Sequence, residues 1–108
     1  MTTFDERENA FEAKFARDEE LRFKATARRD RALGQWAAAQ LGLSGVEAED
    51  YAKEVLRTDF KHPGGDADII AKVLGDLRAK GIAIDERTIK RKLIDLMTQA
   101  VADIEAGR

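Results

Sequence analysis

Apolar side chains recur along this chain at three- and four-residue intervals, and no stretch keeps the two-residue alternation of a half-buried strand. The spacing predicts an all-α protein. From Phe4 to about Leu41 only Gly34 interrupts a helical pattern, at a cost of about 1 kcal/mol relative to Ala. Thr3 and Glu6 form a capping box at its start, Asp5 adds negative charge beside the positive end of the helix dipole, and Gly42 stands where a left-handed cap ends it. Ser44 and Glu47 repeat the capping signature. They open a helix from about Gly45 to Phe60, with Tyr51, Ala52, Val55, Leu56 and Phe60 as its apolar face. His62-Pro63-Gly64-Gly65 reads as a turn. Asp66 then caps a helix bearing Ile69, Ile70, Val73, Leu74 and Leu77, which Gly81 closes. Asp85 caps a last helix bearing Ile89, Leu93, Leu96, Met97, Ala100, Val101 and Ile104. Four helices on short connections predict a compact four-helix bundle with a long first helix.

The first helix divides by composition. Unbroken, it would run roughly 55 Å, more than the width of a domain this small, so part of it must project, bend or fray. Its first twenty residues contain Phe4, Phe11 and Phe15 and, after Met1, no Leu, Ile, Val or Met. At about 100° per residue a helix gathers the three rings on one narrow face, amid Asp5, Glu6, Arg7, Glu8, Glu12, Lys14, Arg17 and Asp18. From Leu21 a second stripe begins: Leu21, Ala25, Ala32 and Trp36, with Leu33, Ala37 and Leu41 beside it. This stripe reads as core. The first does not line up with it, because Asp18, Arg22 and Arg29 break the aromatic face. Two readings of the aromatic stripe stand. It packs on its own domain, or it is a helix for a groove in another protein. An isolated helix of about 12–15 residues is marginal in water, so residues 1–18 are expected to be mobile in the free protein, and residues 19–108 to form the bundle.

With 108 residues the chain has room for one domain and one modest core. Charged residues make up 37%, which suits wide solvated helix faces, yet the net charge of −2 lacks the dense positive surface that nucleic-acid binding requires. There is no cysteine and no apolar run near the roughly 20 residues of a membrane span, and the acidic N-terminus is unlike a secretory signal. These features make a cytoplasmic location the default. Catalytic parts are scarce. His62 is the only histidine, without a helical partner for a metal, and Ser44, the only serine, is explained as a cap. Gly64-Gly65-Asp66-Ala67-Asp68 lacks the ending of a phosphate-binding loop and the ligand pattern of a calcium loop; turn glycines and capping aspartates account for it. No enzyme activity, metal or cofactor is expected. Arg28, Arg29 and Arg31, with Arg22 and Lys24 upstream, form the one basic cluster. It reads either as a solvated face with Asp30 tucked in or as a weak contact for a nucleotide phosphate or an acidic partner.

Several ordered runs carry a family resemblance. They are Met1-Thr2-Thr3-Phe4-Asp5-Glu6-Arg7-Glu8, Ala10-Phe11-Glu12, Lys14-Phe15-Ala16, Asp18-Glu19-Glu20-Leu21-Arg22-Phe23-Lys24-Ala25, Ala27-Arg28-Arg29, Leu33-Gly34 with Trp36-Ala37-Ala38, Tyr51-Ala52-Lys53-Glu54-Val55 and Asp59-Phe60. The chain resembles the zeta subunit of alphaproteobacterial ATP synthase, a natural inhibitor of the rotary ATPase, over essentially its full length and most strongly to about residue 60. The resemblance implies a four-helix bundle whose N-terminal segment is mobile when free. That segment becomes helical on entering the catalytic head between alpha and beta subunits, close to the gamma shaft, and blocks rotation in the hydrolysis direction. It implies alpha, beta and gamma subunits as partners, on the cytoplasmic side of the membrane, with neither nucleic acid nor membrane insertion. Carried over by position, Phe4, Phe11 and Phe15 match the aromatic positions of the inhibitory segment, and Asp5, Arg7, Glu8, Glu12, Lys14 and Arg17 its charged ones. Weak ATP or ADP binding by the bundle is also linked to the family. The chain departs from the family pattern in the Lys61–Asp68 loop, which is less acidic, and at Asp30, where Asn is frequent. The alternative reading is a helical protein-binding adaptor or a weak nucleotide-binding module with no inhibitory role.

Overall fold

A computed structural model describes residues 19–61 and 65–108. Four helices account for most of them: α1 (Glu19–Gln40), α2 (Gly45–Lys61), α3 (Ala67–Ala79) and α4 (Glu86–Glu105). Among the described residues there is no strand, as the absence of period-two alternation required. The expected all-α four-helix bundle is the fold. Residues 1–18 and 62–64 lie outside the described residues, and with them fall the expectations of a capping box at Thr3, of a helix beginning at Phe4 and of a turn centred on Pro63.

Local chemistry sets the helix ends. Past Gln40 the Leu43 amide donates to the Ala38 carbonyl at 2.9 Å and the Gly42 amide to Ala39 at 3.1 Å, while Gly42 takes φ +79°. This paired closure satisfies carbonyls that the helix leaves open, and it needs the left-handed backbone that glycine adopts without a Cβ clash. Ile82 closes α3 in the same way through the Leu77 carbonyl at 3.0 Å, then packs on the core. Asp85 caps α4 as expected. Its carboxylate accepts from the Thr88 amide at 2.9 Å and from the Thr88 hydroxyl at 2.8 Å, and these bonds hold it below the usual carboxylate range. Asp66 departs from the expectation. It stands at the N-cap position of α3, but its side chain makes no cap bond, because the carboxylate is turned toward Arg29.

The first helix is the centre of the assembly. It packs against α2, α3 and α4, whereas α2 and α4 do not meet. The main core joins Leu33, Ala37 and Ala38 of α1 to Tyr51 and Val55 of α2, Ile69, Val73 and Leu77 of α3, and Ile89 and Leu93 of α4. Nearer the start of α1, Ala25 meets Ala100 and Val101 of α4, with Met97 and Ile104 alongside. The α1–α2 contact is close. A Cβ on Gly34 would sit 2.6 Å from the Ala52 Cα, so glycine is what lets the two backbones approach.

Candidate functional site

The residues singled out in sequence for partner binding, Phe4, Asp5, Arg7, Glu8, Phe11, Glu12, Lys14, Phe15 and Arg17, all lie outside the described residues. What the structure describes is the platform that follows them. The first turn of α1 is exposed at Glu19 and Glu20, with Lys24 reaching back to Glu20 at 3.4 Å. One turn on, Phe23 is 59% exposed and stacks on Phe60 of α2, with centroids 5.0 Å apart and planes 12° from parallel. Phe60 had been expected on the apolar face of α2. It lies instead about 100° round the helix from the buried run Tyr51, Val55, Asp59, and is 41% exposed. The two rings form an aromatic pair on the surface, at the end of the bundle where residues 1–18 join it.

The basic cluster separates into three environments, since successive residues of a helix point about 100° apart. Arg28 is exposed. Arg31 is exposed and pairs with Glu49 across the α1–α2 surface. Arg29 is 7% exposed, and the neighbouring Asp30 is wholly buried, so this part of the cluster is no solvated face. Ala25, Arg29, Leu33 and Ala37 form one buried row of α1 at four-residue spacing; Asp30, Gly34 and Ala38 form the next. Both charged residues occupy core positions.

Arg29 is buried because three carboxylates meet it there. Its Nη2 lies 2.9 Å from Asp30 Oδ1, 3.5 Å from Asp59 Oδ2 and 2.9 Å from Asp66 Oδ1. Asp66 accepts from both terminal nitrogens, the second at 3.3 Å, and Asp30 also accepts from Nε at 3.0 Å. Burial works against the guanidinium charge, but the field of Asp30 and the hydrogen bond and charge of Asp66 outweigh it and hold Arg29 above its ordinary value. Burial acts on Asp30 in the opposite sense. It pushes the carboxyl up to about 8, and a hydrogen bond with Asp59 adds to the push against the opposing charge of Arg29. This cluster ties α1 to the end of α2 and to the start of α3. The sequence pattern predicts a solvated basic face with Asp30 tucked in and Asp66 as a cap; the structure buries Arg29 with Asp30 and turns Asp66 toward Arg29. The available signal was positional: Arg29 and Asp30 fall on the apolar rows of α1, and Asp59 falls on that of α2.

A second polar network lies between α2 and α3. The Tyr51 hydroxyl donates to Asp76 at 2.8 Å, and Lys72 reaches Asp76 at 2.8 Å and Glu54 at 3.2 Å. Burial, then the Asp76 hydrogen bond and the charges of Asp76 and Glu54, push the Tyr51 hydroxyl up. Lys72 also lies 5.3 Å from the centre of the Tyr51 ring. Among the described residues no group of three or more histidine, aspartate or glutamate side chains could hold a metal ion, and no helix is long and apolar enough to cross a membrane.

The described residues therefore offer two polar networks that tie helices together and an exposed aromatic pair near the start of α1. Comparison with known proteins adds what this geometry alone does not. No curated protein matches the chain. A protein solved by solution NMR is 41% identical to it; the match spans 82% of this chain and 99% of that one, with a TM-score of 0.70. The family model described as ATPase inhibitor subunit zeta matches residues 1–103, from the aromatic segment through nearly the whole of α4, and the chain belongs to that family.

Proposed function

We propose that the chain inhibits ATP hydrolysis by an F-type ATP synthase, with residues 1–18 as the inhibitory segment and the bundle as its holder. The segment enters the catalytic head between an alpha and a beta subunit near the gamma shaft, becomes helical there and blocks rotation. Membership of the inhibitor family supports the target. The observation that carries the mechanism is that the family match begins at residue 1 and so includes Phe4, Phe11 and Phe15 in their charged surroundings.

The physical logic is folding coupled to binding. Ordering eighteen residues costs backbone entropy, which helical hydrogen bonds and burial of three Phe rings offset in part. Contacts from Asp5, Arg7, Glu8, Glu12, Lys14 and Arg17 to the partner supply the remainder and fix the orientation. Such a segment engages only where a catalytic interface has opened. The bundle then serves as a wedge outside it. Within the basic cluster Arg22 and Arg28 are exposed and without an ion pair among the described residues, and they are what remains there for a weak contact with a nucleotide phosphate.

The test is an ATP hydrolysis assay on the purified cognate catalytic head. The proposal predicts that the full-length chain lowers the rate in a saturable manner. Full activity at saturating chain would leave the adaptor reading in its place.

A further inference from the structure

We propose that the Arg29 corner is a proton-binding site, in which one proton held between the Asp30 and Asp59 carboxyls fastens α1, α2 and the start of α3 together and is released as pH rises. The count of charges leads to it. One guanidinium faces three carboxylates, Asp30, Asp59 and Asp66, at 2.9, 3.5 and 2.9 Å. Asp66 is 43% exposed and partly screened by water, but Asp30 is 0% exposed and Asp59 9%, so these two buried carboxylates face one guanidinium with little screening. Asp30 Oδ1 accepts from Arg29, but Oδ2 is buried with no donor. Asp59 lies within hydrogen-bonding range of that carboxyl. Two ionised carboxylates in such a place repel one another and leave Oδ2 unsatisfied. A proton on one of them supplies the missing donor and removes the repulsion.

The charged groups around Asp30 come from three elements: Arg29 on its own helix, Asp59 on α2, and Asp66 before α3, which reaches Arg29 from the far side. Toward α4 the neighbouring contact is apolar, Ala25 against Ala100 and Val101, and among the described residues no ion pair joins α4 to the corner. Asp30 is held as the acid up to about 8, against an ordinary 3.8. Between those values the folded chain binds a proton that the unfolded chain has lost. Stability from this site is complete below about pH 3.8, falls across the window and is gone above about pH 8.

The experiment uses the full-length chain and two variants. Thermal unfolding is followed from pH 6 to 9, above the ordinary carboxylate range, together with the Asp30 carboxyl carbon shift by NMR. Asp30→Asn carries an amide that donates to Asp59 without titrating. His62→Gln removes the chain's only histidine, three residues from Asp59. The expected result is a melting temperature that falls with pH in the wild type and in His62→Gln but stays level in Asp30→Asn, with the Asp30 shift stepping near pH 8. An Asp30 carboxyl already ionised at pH 6 overturns the proposal. So does a wild-type slope surviving in Asp30→Asn, or one lost in His62→Gln. If Asp30→Asn does not fold, the wild-type carboxyl titration alone decides.

Discussion

Gly34→Ala sets two effects of known size against each other. In a helix interior Ala is favoured over Gly by about 1 kcal/mol. At Gly34, however, the new methyl would lie 2.6 Å from the Ala52 Cα, 3.1 Å from its Cβ and 3.3 Å from its carbonyl oxygen. The nearest obstacle is the backbone of α2, which no rotamer change can move. Overpacking of this kind costs about 1–3 kcal/mol, and a clash with a rigid helix belongs at the upper end. The net expectation is a loss of about 2 kcal/mol, or a melting temperature lower by roughly 10 °C. Gly75 provides the opposite case within the same fold. It lies inside α3, is exposed, and has nothing within 4 Å of the place a Cβ would occupy, so Gly75→Ala should stabilise by about 0.5–1 kcal/mol. Urea unfolding of both variants, monitored by helical circular dichroism, measures the pair. Equal shifts of the same sign, or a Gly34→Ala protein as stable as the wild type, would refute the close-approach argument.

Arg29→Met leaves three carboxylates around an apolar side chain and should destabilise the chain by about 3–5 kcal/mol in the same assay, with a smaller loss when Asp30→Asn is also present. Phe11→Ala and Phe15→Ala should each weaken inhibition of ATP hydrolysis by about 3–5 kcal/mol where the ring is fully buried on binding, or roughly two to three and a half orders of magnitude in half-inhibitory concentration. Neither should shift the unfolding midpoint of the free chain.

The helices were legible because each is announced twice, by an apolar row of the right period and by a boundary residue. Tyr51, Ala52 and Val55 mark α2, and Asp85 with Thr88 starts α4. The Gly45–Lys61 and Glu86–Glu105 bounds therefore fall within a residue or two of the reading. The Arg29 corner was not legible in the same way. A hydrophobicity pattern treats Arg29, Asp30 and Asp59 as polar and assigns them outward. Their burial depends on partners 30 and 37 residues from Arg29, visible only when α2 and α3 are brought beside α1. Asp66 shows a related ambiguity. The same carboxylate suits an N-cap or a guanidinium, and the bidentate arrangement with a buried cation wins over one amide bond. Gly34 read as a cost in sequence, and the fold shows the contact that it permits. Of the residues proposed to bind a partner, Phe4, Phe11 and Phe15 stood out by their spacing, while the charged positions and the identity of the partner came through the resemblance, since no pattern inside one chain reveals the surface of another.

Residues 19–108, assayed beside the full-length chain on the same ATPase head, test the central claim most directly. The account predicts that the shortened chain keeps its cooperative melt and helical spectrum yet leaves ATP hydrolysis at its uninhibited rate, while the full-length chain suppresses it. Equal inhibition by both chains would contradict the account.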